Sequence, residues 1–178
     1  MIQNFGKPKI FNDIGAIQFL QIPGNWVESA PRKIVGGRHL RQFHLVNRPD
    51  IRFCSYLRTL PLSHPASSAF QKVIYANFHQ VGQVELDALE DLLEGMSDSS
   101  AFQILDSSTS YVNSRRVLTI RGRWLKMHEE TVICIVDVKG DGLCVQQIYF
   151  TAPQSVFDKY TETANDIFLS IKWKHATD

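Results

Sequence analysis

Six histidines (His39, His44, His64, His79, His128 and His175) and three cysteines (Cys54, Cys134 and Cys144) are the residues from which a metal centre or a nucleophile would be built. None of the histidines forms the i, i+4 pair that a helical metal site uses. His39 and His44, five apart on an expected strand, face opposite sides of it. They read as structural or solvated side chains, and no metal or cofactor is expected. Asp137 to Gly142 has acids at the first and fifth positions of a calcium loop and glycine at the sixth. Lys139 stands third, however, and Ile148 twelfth, where a carboxylate is required. A hairpin turn accounts for the stretch. A thiol nucleophile would need an oriented base beside it. Counting outward from an Asn47-Arg48-Pro49-Asp50 loop pairs Phe43 with Cys54 and His44 with Phe53, which puts the thiol and the imidazole on opposite faces. Gly36-Gly37 lacks the strand-turn-helix context of a phosphate loop and reads as a bend. No catalytic residue is assigned.

What remains is basic and aromatic. On the same hairpin count, Arg41, Phe43 and Leu45 lie beside Arg52, Cys54, Tyr56 and Arg58, with Arg41 opposite Tyr56. Arg121, Arg123 and Trp124 make a second cluster. Guanidiniums interleaved with aromatic rings suit recognition. The plainer reading is that the arginine stems cover apolar surface while their heads reach water. Charge is also unevenly spread. Residues 1–60 hold nine Lys/Arg against three Asp/Glu, residues 61–110 one against seven, and residues 111–178 nine against eight. Either the arginine surface faces the acidic run from Glu85 to Glu94 within the fold, or it receives a partner with an acidic surface. Arg41, Arg52, Tyr56, Arg58, Arg121, Arg123 and Trp124 are taken as the partner-binding set.

The elements that must hold these residues are mostly strands. Ile17 to Ile22 alternates into Pro23-Gly24, and Trp26 re-enters the core. His39 to Val46 and Ile51 to Thr59 are strand-like, with Pro49 expected in the loop between them because it lacks an amide hydrogen. Ser67 to Phe78 is helical or irregular. Gln83 to Met96 is a better helix, with Leu86, Leu89, Leu93 and Met96 at spacings of three and four and Gly95 at its end. Phe102 to Val112 and Arg116 to Leu125 join around Asn113-Ser114. Thr131 to Val138 and Leu143 to Phe150 form a hairpin about Gly140-Asp141. Within it Val132, Cys134, Val136 and Val138 share a face with Leu143, Val145 and Tyr149, and Ile133 and Ile135 share the other with Ile148 and Phe150. Both faces are apolar, so both must be covered. A final helix begins with Pro153 in its first turn and carries Val156, Phe157, Tyr160, Ala164, Ile167 and Phe168. Cys134 and Cys144 fall on opposite faces of the hairpin and should not bridge.

A chain of 178 residues with 44% hydrophobic and 21% charged residues suits one core of ordinary size. No apolar run approaches the roughly 20 residues that span a bilayer. Met1 to Leu20 does not read as a signal peptide, and a cytoplasmic protein is expected.

Two stretches resemble a known family. They are Ile22-Pro23-Gly24-Asn25-Trp26, and the run from Arg116-Val117-Leu118-Thr119-Ile120-Arg121-Gly122-Arg123-Trp124 through Gln146-Gln147-Ile148-Tyr149-Phe150-Thr151-Ala152-Pro153 to Ser170-Ile171-Lys172-Trp173. Together with Phe157 and Tyr160 they resemble the PsbP-like superfamily. The resemblance implies one α+β domain over residues 1–178, an α/β/α sandwich with a central, mainly antiparallel sheet covered by helices on both faces. It also implies a binding protein and not an enzyme. The expected function is therefore a non-catalytic cytoplasmic protein-binding module, a chaperone or adaptor. The alternatives are nucleic-acid binding through the Arg-rich strands, which the net charge of +1 disfavours, or an enzyme of unrecognised type.

Overall fold

A computed structural model of the chain describes residues 6–30, 32–34, 38–58, 60–94 and 96–175. The expected Gly36-Gly37 bend, Thr59 and Gly95 lie outside them. The described residues form β1 (Lys9–Ile14), β2 (Ile17–Ile22), β3 (Trp26–Glu28), β4 (Arg32–Ile34), β5 (Arg38–Leu45), β6 (Arg48–Leu57), α1 (His64–Tyr75), α2 (Gln83–Asp87), α3 (Glu90–Leu93), β7 (Phe102–Val112), β8 (Arg115–Trp124), β9 (Glu129–Asp137), β10 (Val145–Pro153), α4 (Phe157–Ser170) and β11 (Lys172–Trp173). The large sheet runs β3-β5-β6-β10-β9-β8-β7, with β4 also on β5, and a small sheet runs β1-β2-β11. Every pairing is antiparallel. The fold is α+β.

Two registers differ from expectation by one residue. The β5–β6 hairpin turns at Val46-Asn47, and a bulge after His44 then resets the ladder. Phe43 therefore faces Phe53, His44 faces Arg52, and Arg41 faces Ser55, not Tyr56. Pro49 lies within β6 and not in a loop. It is tolerated because β10 pairs with β6 only from Arg52 onward, so no ladder amide is missed on that side. In the β9–β10 hairpin Val145 faces Asp137 and Ile148 faces Cys134. The loop is longer than a tight turn. Gly140 and Gly142 take positive φ, and the Asp137 carboxylate accepts their two amides at 2.8 Å each. The face partners consequently exchange. Ile148 and Phe150 join Cys134 and Val136, whereas Val145 and Tyr149 join Ile133 and Ile135. Cys144 precedes β10, and its thiol donates to the Arg58 carbonyl at 3.3 Å.

The helices also differ in detail. The apolar spacing over 83–96 holds, with Leu86, Leu89, Leu93 and Met96 all buried. The helix does not run through. Short bonds from Leu89 N to Leu86 O and from Leu92 N to Leu89 O divide it into α2 and α3. Pro153 closes β10 opposite Glu129, so α4 starts four residues later, after a turn in which Val156 N reaches Pro153 O.

Two buried clusters result. The first joins Ile14, Leu20 and Ile22 of the small sheet, Phe53 and Phe150 of the large sheet, and Phe157, Ile167 and Phe168 of α4. The second joins Phe70 and Ile74 of α1 and Leu86, Leu92 and Leu93 of the α2–α3 region to Ile120, Ile133 and Ile135. Thus α4 shares its side with a strand layer that the sequence did not announce. Gly122 is needed where β8 meets Phe102, since a Cβ there would lie 2.7 Å from the Gln103 carbonyl as well as against the Phe102 ring.

All three cysteines are free. Burial pushes the Cys54 and Cys134 thiols up to about 12 and raises Cys144 as well. A thiol reagent applied to native protein is expected to modify the half-buried Cys144 first. Denaturation without reductant should then expose three thiols per chain; a count of one would mean that a disulfide forms.

Candidate functional site

The sheet divides the expected arginine set. Arg41 points to the side of the first cluster, where its Nε donates to Glu28 at 2.6 Å and its guanidinium lies 5.5 Å from the Phe11 ring centroid. Arg121 and Arg123 stand on that side too. Both bind the Glu130 carboxylate, which is only 4% exposed, and Arg121 stacks on Phe157 at 5.3 Å. Trp124, one residue on, points the other way and packs on Phe102 with ring centroids 4.7 Å apart. Arg52, Tyr56 and Arg58 share the side of Trp124.

On that side a cleft of about 420 Å³ opens over β6, β10 and β9, a size typical of ligand sites. Strand alternation builds its floor. Arg52, Cys54 and Tyr56 of β6 lie beside Gln147, Tyr149 and Thr151 of β10, which neighbour Ile133 and Thr131 of β9. Leu93 and Met96 come from the α3 region, Trp124 from the end of β8 and Met127 from the β8–β9 connection.

The polar floor is largely satisfied from within. The Arg52 terminal nitrogen bonds both Glu129 oxygens at 2.6 and 2.7 Å. Tyr56 Oη donates to Glu94 at 3.2 Å, Arg58 pairs with the same carboxylate at 3.4 Å, and Thr131 donates to Thr151 at 2.9 Å. One Arg58 nitrogen also reaches the Asp91 carbonyl. The contact with the acidic run, one of the two readings of the charge split, is made from this set by Arg58 and Tyr56. Arg52 Nε and Arg58 Nε are buried without a hydrogen-bond partner. Tyr149 and Cys54 hydrogen-bond each other, and burial raises both above their ordinary values. Burial thus favours the neutral thiol and the neutral phenol, which offer hydrogen bonding and packing.

The corrected register also puts His44 on the same face as Cys54. His44 Nδ1 nevertheless contacts Ser29 Oγ at 3.1 Å, and His79 sits between the Asn77 carbonyl and Glu85. Among the described residues no group of three or more His, Cys, Asp or Glu side chains could hold a metal. Asp137, the first residue of the calcium-like stretch, is committed to its own turn. Glu129, Gln147 and Tyr149 were missed from sequence. Their signal was the period-2 alternation of β9 and β10 beside Arg52, which a hairpin count off by one placed on the wrong face.

The fold is PsbP-like. The structure is similar to the solution structure of cyanobacterial PsbP from Synechocystis sp. PCC 6803, with a TM-score of 0.60, 7% sequence identity, and coverage of 98% of this chain and 96% of that one. At this identity the likeness is one of fold. No protein-family model and no curated protein matches the sequence. Among the described residues no helix is long and apolar enough to cross a membrane.

Proposed function

We propose that this chain is a non-catalytic, cytoplasmic protein-binding module of the adaptor or chaperone kind, and that the Trp124 cleft receives an apolar segment of its partner. The scaffold is read as the α/β/α sandwich of the resemblance, with the small sheet sharing the α4 side. One observation carries the reading: the charged groups of the cleft are matched to one another, whereas Leu93, Met96, Trp124 and Met127 offer apolar walls. An entering ligand is asked for apolar surface. Nucleic-acid binding is less favoured, because Arg41, Arg52, Arg58, Arg121 and Arg123 each already have a glutamate. A phosphate backbone would have to displace these carboxylates.

The test uses Met127, which is 56% exposed and so can be changed without disturbing the core. Met127→Asp should keep the thermal transition and weaken capture of the partner recovered from lysate at least tenfold, about 1.4 kcal/mol. Equal capture by the variant would remove this cleft as the docking site. Repeated failure to recover any recurrent partner would count against the module itself.

A further inference from the structure

At the other end of the large sheet lies a wider cleft of about 1000 Å³, bounded by the start of β8, the ends of α1 and α4, and β11. Along β8 it is roughly 30 Å from Trp124, at ~3.3 Å per residue. Its cations are Arg115, Arg116, Lys172 and Lys174, and its carboxylate is Asp137. Asp137 is 3% exposed and is occupied by the Gly140 and Gly142 amides and the Tyr75 hydroxyl.

The two guanidiniums are fixed chiefly by backbone carbonyls, and the Asp137 carboxylate favours the Arg115 charge without forming an ion pair with it. Arg115 donates to the carbonyls of Asp137 and Val138 at 2.7 and 2.6 Å and lies over the Trp173 ring at 5.6 Å. Arg116 donates to the Ile74 and Ala76 carbonyls at the end of α1 and stacks on Phe78 at 4.9 Å. Among the described residues neither forms an ion pair with a carboxylate. Lys174 reaches Asp13 at 3.4 Å, but Asp13 is 75% exposed, and such a pair neutralises little. Tyr75, Tyr111 and Leu169, which line the same cleft, are each more than half exposed. Large apolar side chains clustered in water mark interaction surfaces, and Tyr, Trp and Arg are the residues that dominate interface energetics.

We propose that this cleft docks an acidic segment of a partner protein, one that carries an apolar anchor among its carboxylates. Charge complementarity selects the acid, because among the described residues Arg115, Arg116 and Lys172 form no ion pair, Lys174 has only an exposed one, and the Asp137 carboxylate near Arg115 is committed to the Gly140 and Gly142 amides. Tyr75, Tyr111 and Leu169 select the anchor. A nucleic-acid strand fits less well, since Leu169, 67% exposed, offers an aliphatic contact and not a face on which a base can stack. The site is independent of the Trp124 cleft. Two separated docking surfaces of different chemistry are what an adaptor requires.

The test is selection from a random peptide library displayed on phage, followed by fluorescence anisotropy with the enriched peptides. Enrichment of Asp and Glu around an aromatic or aliphatic residue is expected, with binding that weakens as salt rises from about 50 to about 500 mM. Lys172→Glu with Lys174→Glu, and separately Tyr111→Ser, should each reduce affinity at least tenfold with an unchanged melting temperature. Met127→Asp should leave it unaltered, so failure here and failure of the Trp124 cleft are distinguishable. Peptides without acidic enrichment, or peptides that bind the lysine variant equally, would overturn the proposal. So would a labelled oligothymidine that binds the cleft more tightly than any peptide, or concentration-dependent self-association abolished by the same variants, which would make a second copy the occupant.

Discussion

Replacing Gln146 by leucine is expected to cost about 3–5 kcal/mol, although the new side chain is of comparable size and the position never touches solvent. Gln146 is fully buried, and its amide joins the two sheets. Nε2 donates to the Ile14 carbonyl at 2.9 Å and to Ser55 Oγ at 2.7 Å, and Oε1 accepts the Ala16 amide at 2.6 Å. Leucine fills the space and leaves a buried carbonyl, a buried amide and a hydroxyl without their partner. Each orphan costs about 1–3 kcal/mol, with the hydroxyl freest to rotate elsewhere. For a chain of this size the melting temperature should fall by roughly 10 °C. Ile148→Val in the same strand is the control, at about 1 kcal/mol. Gly15 sharpens the test, because it holds a φ of +60° and a Cβ there would collide with the Gln146 amide. Gly15→Ala should therefore cost less in a Gln146→Ala background than in the wild type. A Gln146→Leu variant within 1 kcal/mol of wild type would show that the small sheet is held by apolar packing alone.

Ending the chain at Pro153 should abolish the cooperative fold. The deletion removes Phe157, Ile167, Phe168 and Ile171, all buried in the first cluster. At about 1.5–3 kcal/mol each, they sum to roughly the whole stability of a typical domain, about 5–15 kcal/mol. It also strips β2 of β11 and exposes the Ile17, Leu20 and Ile22 side of the small sheet. The polar ties lost are the Trp173 indole to the Val112 carbonyl at 2.7 Å and Asn113 Nδ2 to the Leu169 and Ile171 carbonyls at 2.9 and 2.6 Å. Circular dichroism and calorimetry of the truncated chain check this. A soluble product with a sharp thermal transition would mean that α4 is an accessory and not a wall of the core.

Much of the framework was legible in the residues. Alternation placed β7 to β10, apolar spacing placed the α4 stripe, and Ile22-Pro23-Gly24-Asn25-Trp26 placed the turn that returns Trp26 to the core. Those patterns are local, and each is written in neighbouring side chains. Register was not legible. β9 and β10 are apolar on both faces, so a shift of one residue changes every partner without leaving any polar residue conspicuously misplaced. Only the bulge after His44 and the Asp137-capped loop settle the parity, and both depend on backbone conformation. That parity moves Arg41 away from Tyr56, the β6–β10 ladder brings Cys54 against Tyr149, and simple alternation along β8 sets Arg121 and Arg123 on the opposite side from Trp124. The small sheet was hidden for a different reason. β11 is two residues long and acquires its meaning only when α4 carries it to β2, more than 140 positions earlier in the chain. Composition and periodicity thus determined which segments become strands and helices. Long-range contacts, where one buried amide or one bulge outweighs a local preference, decided which side chains meet.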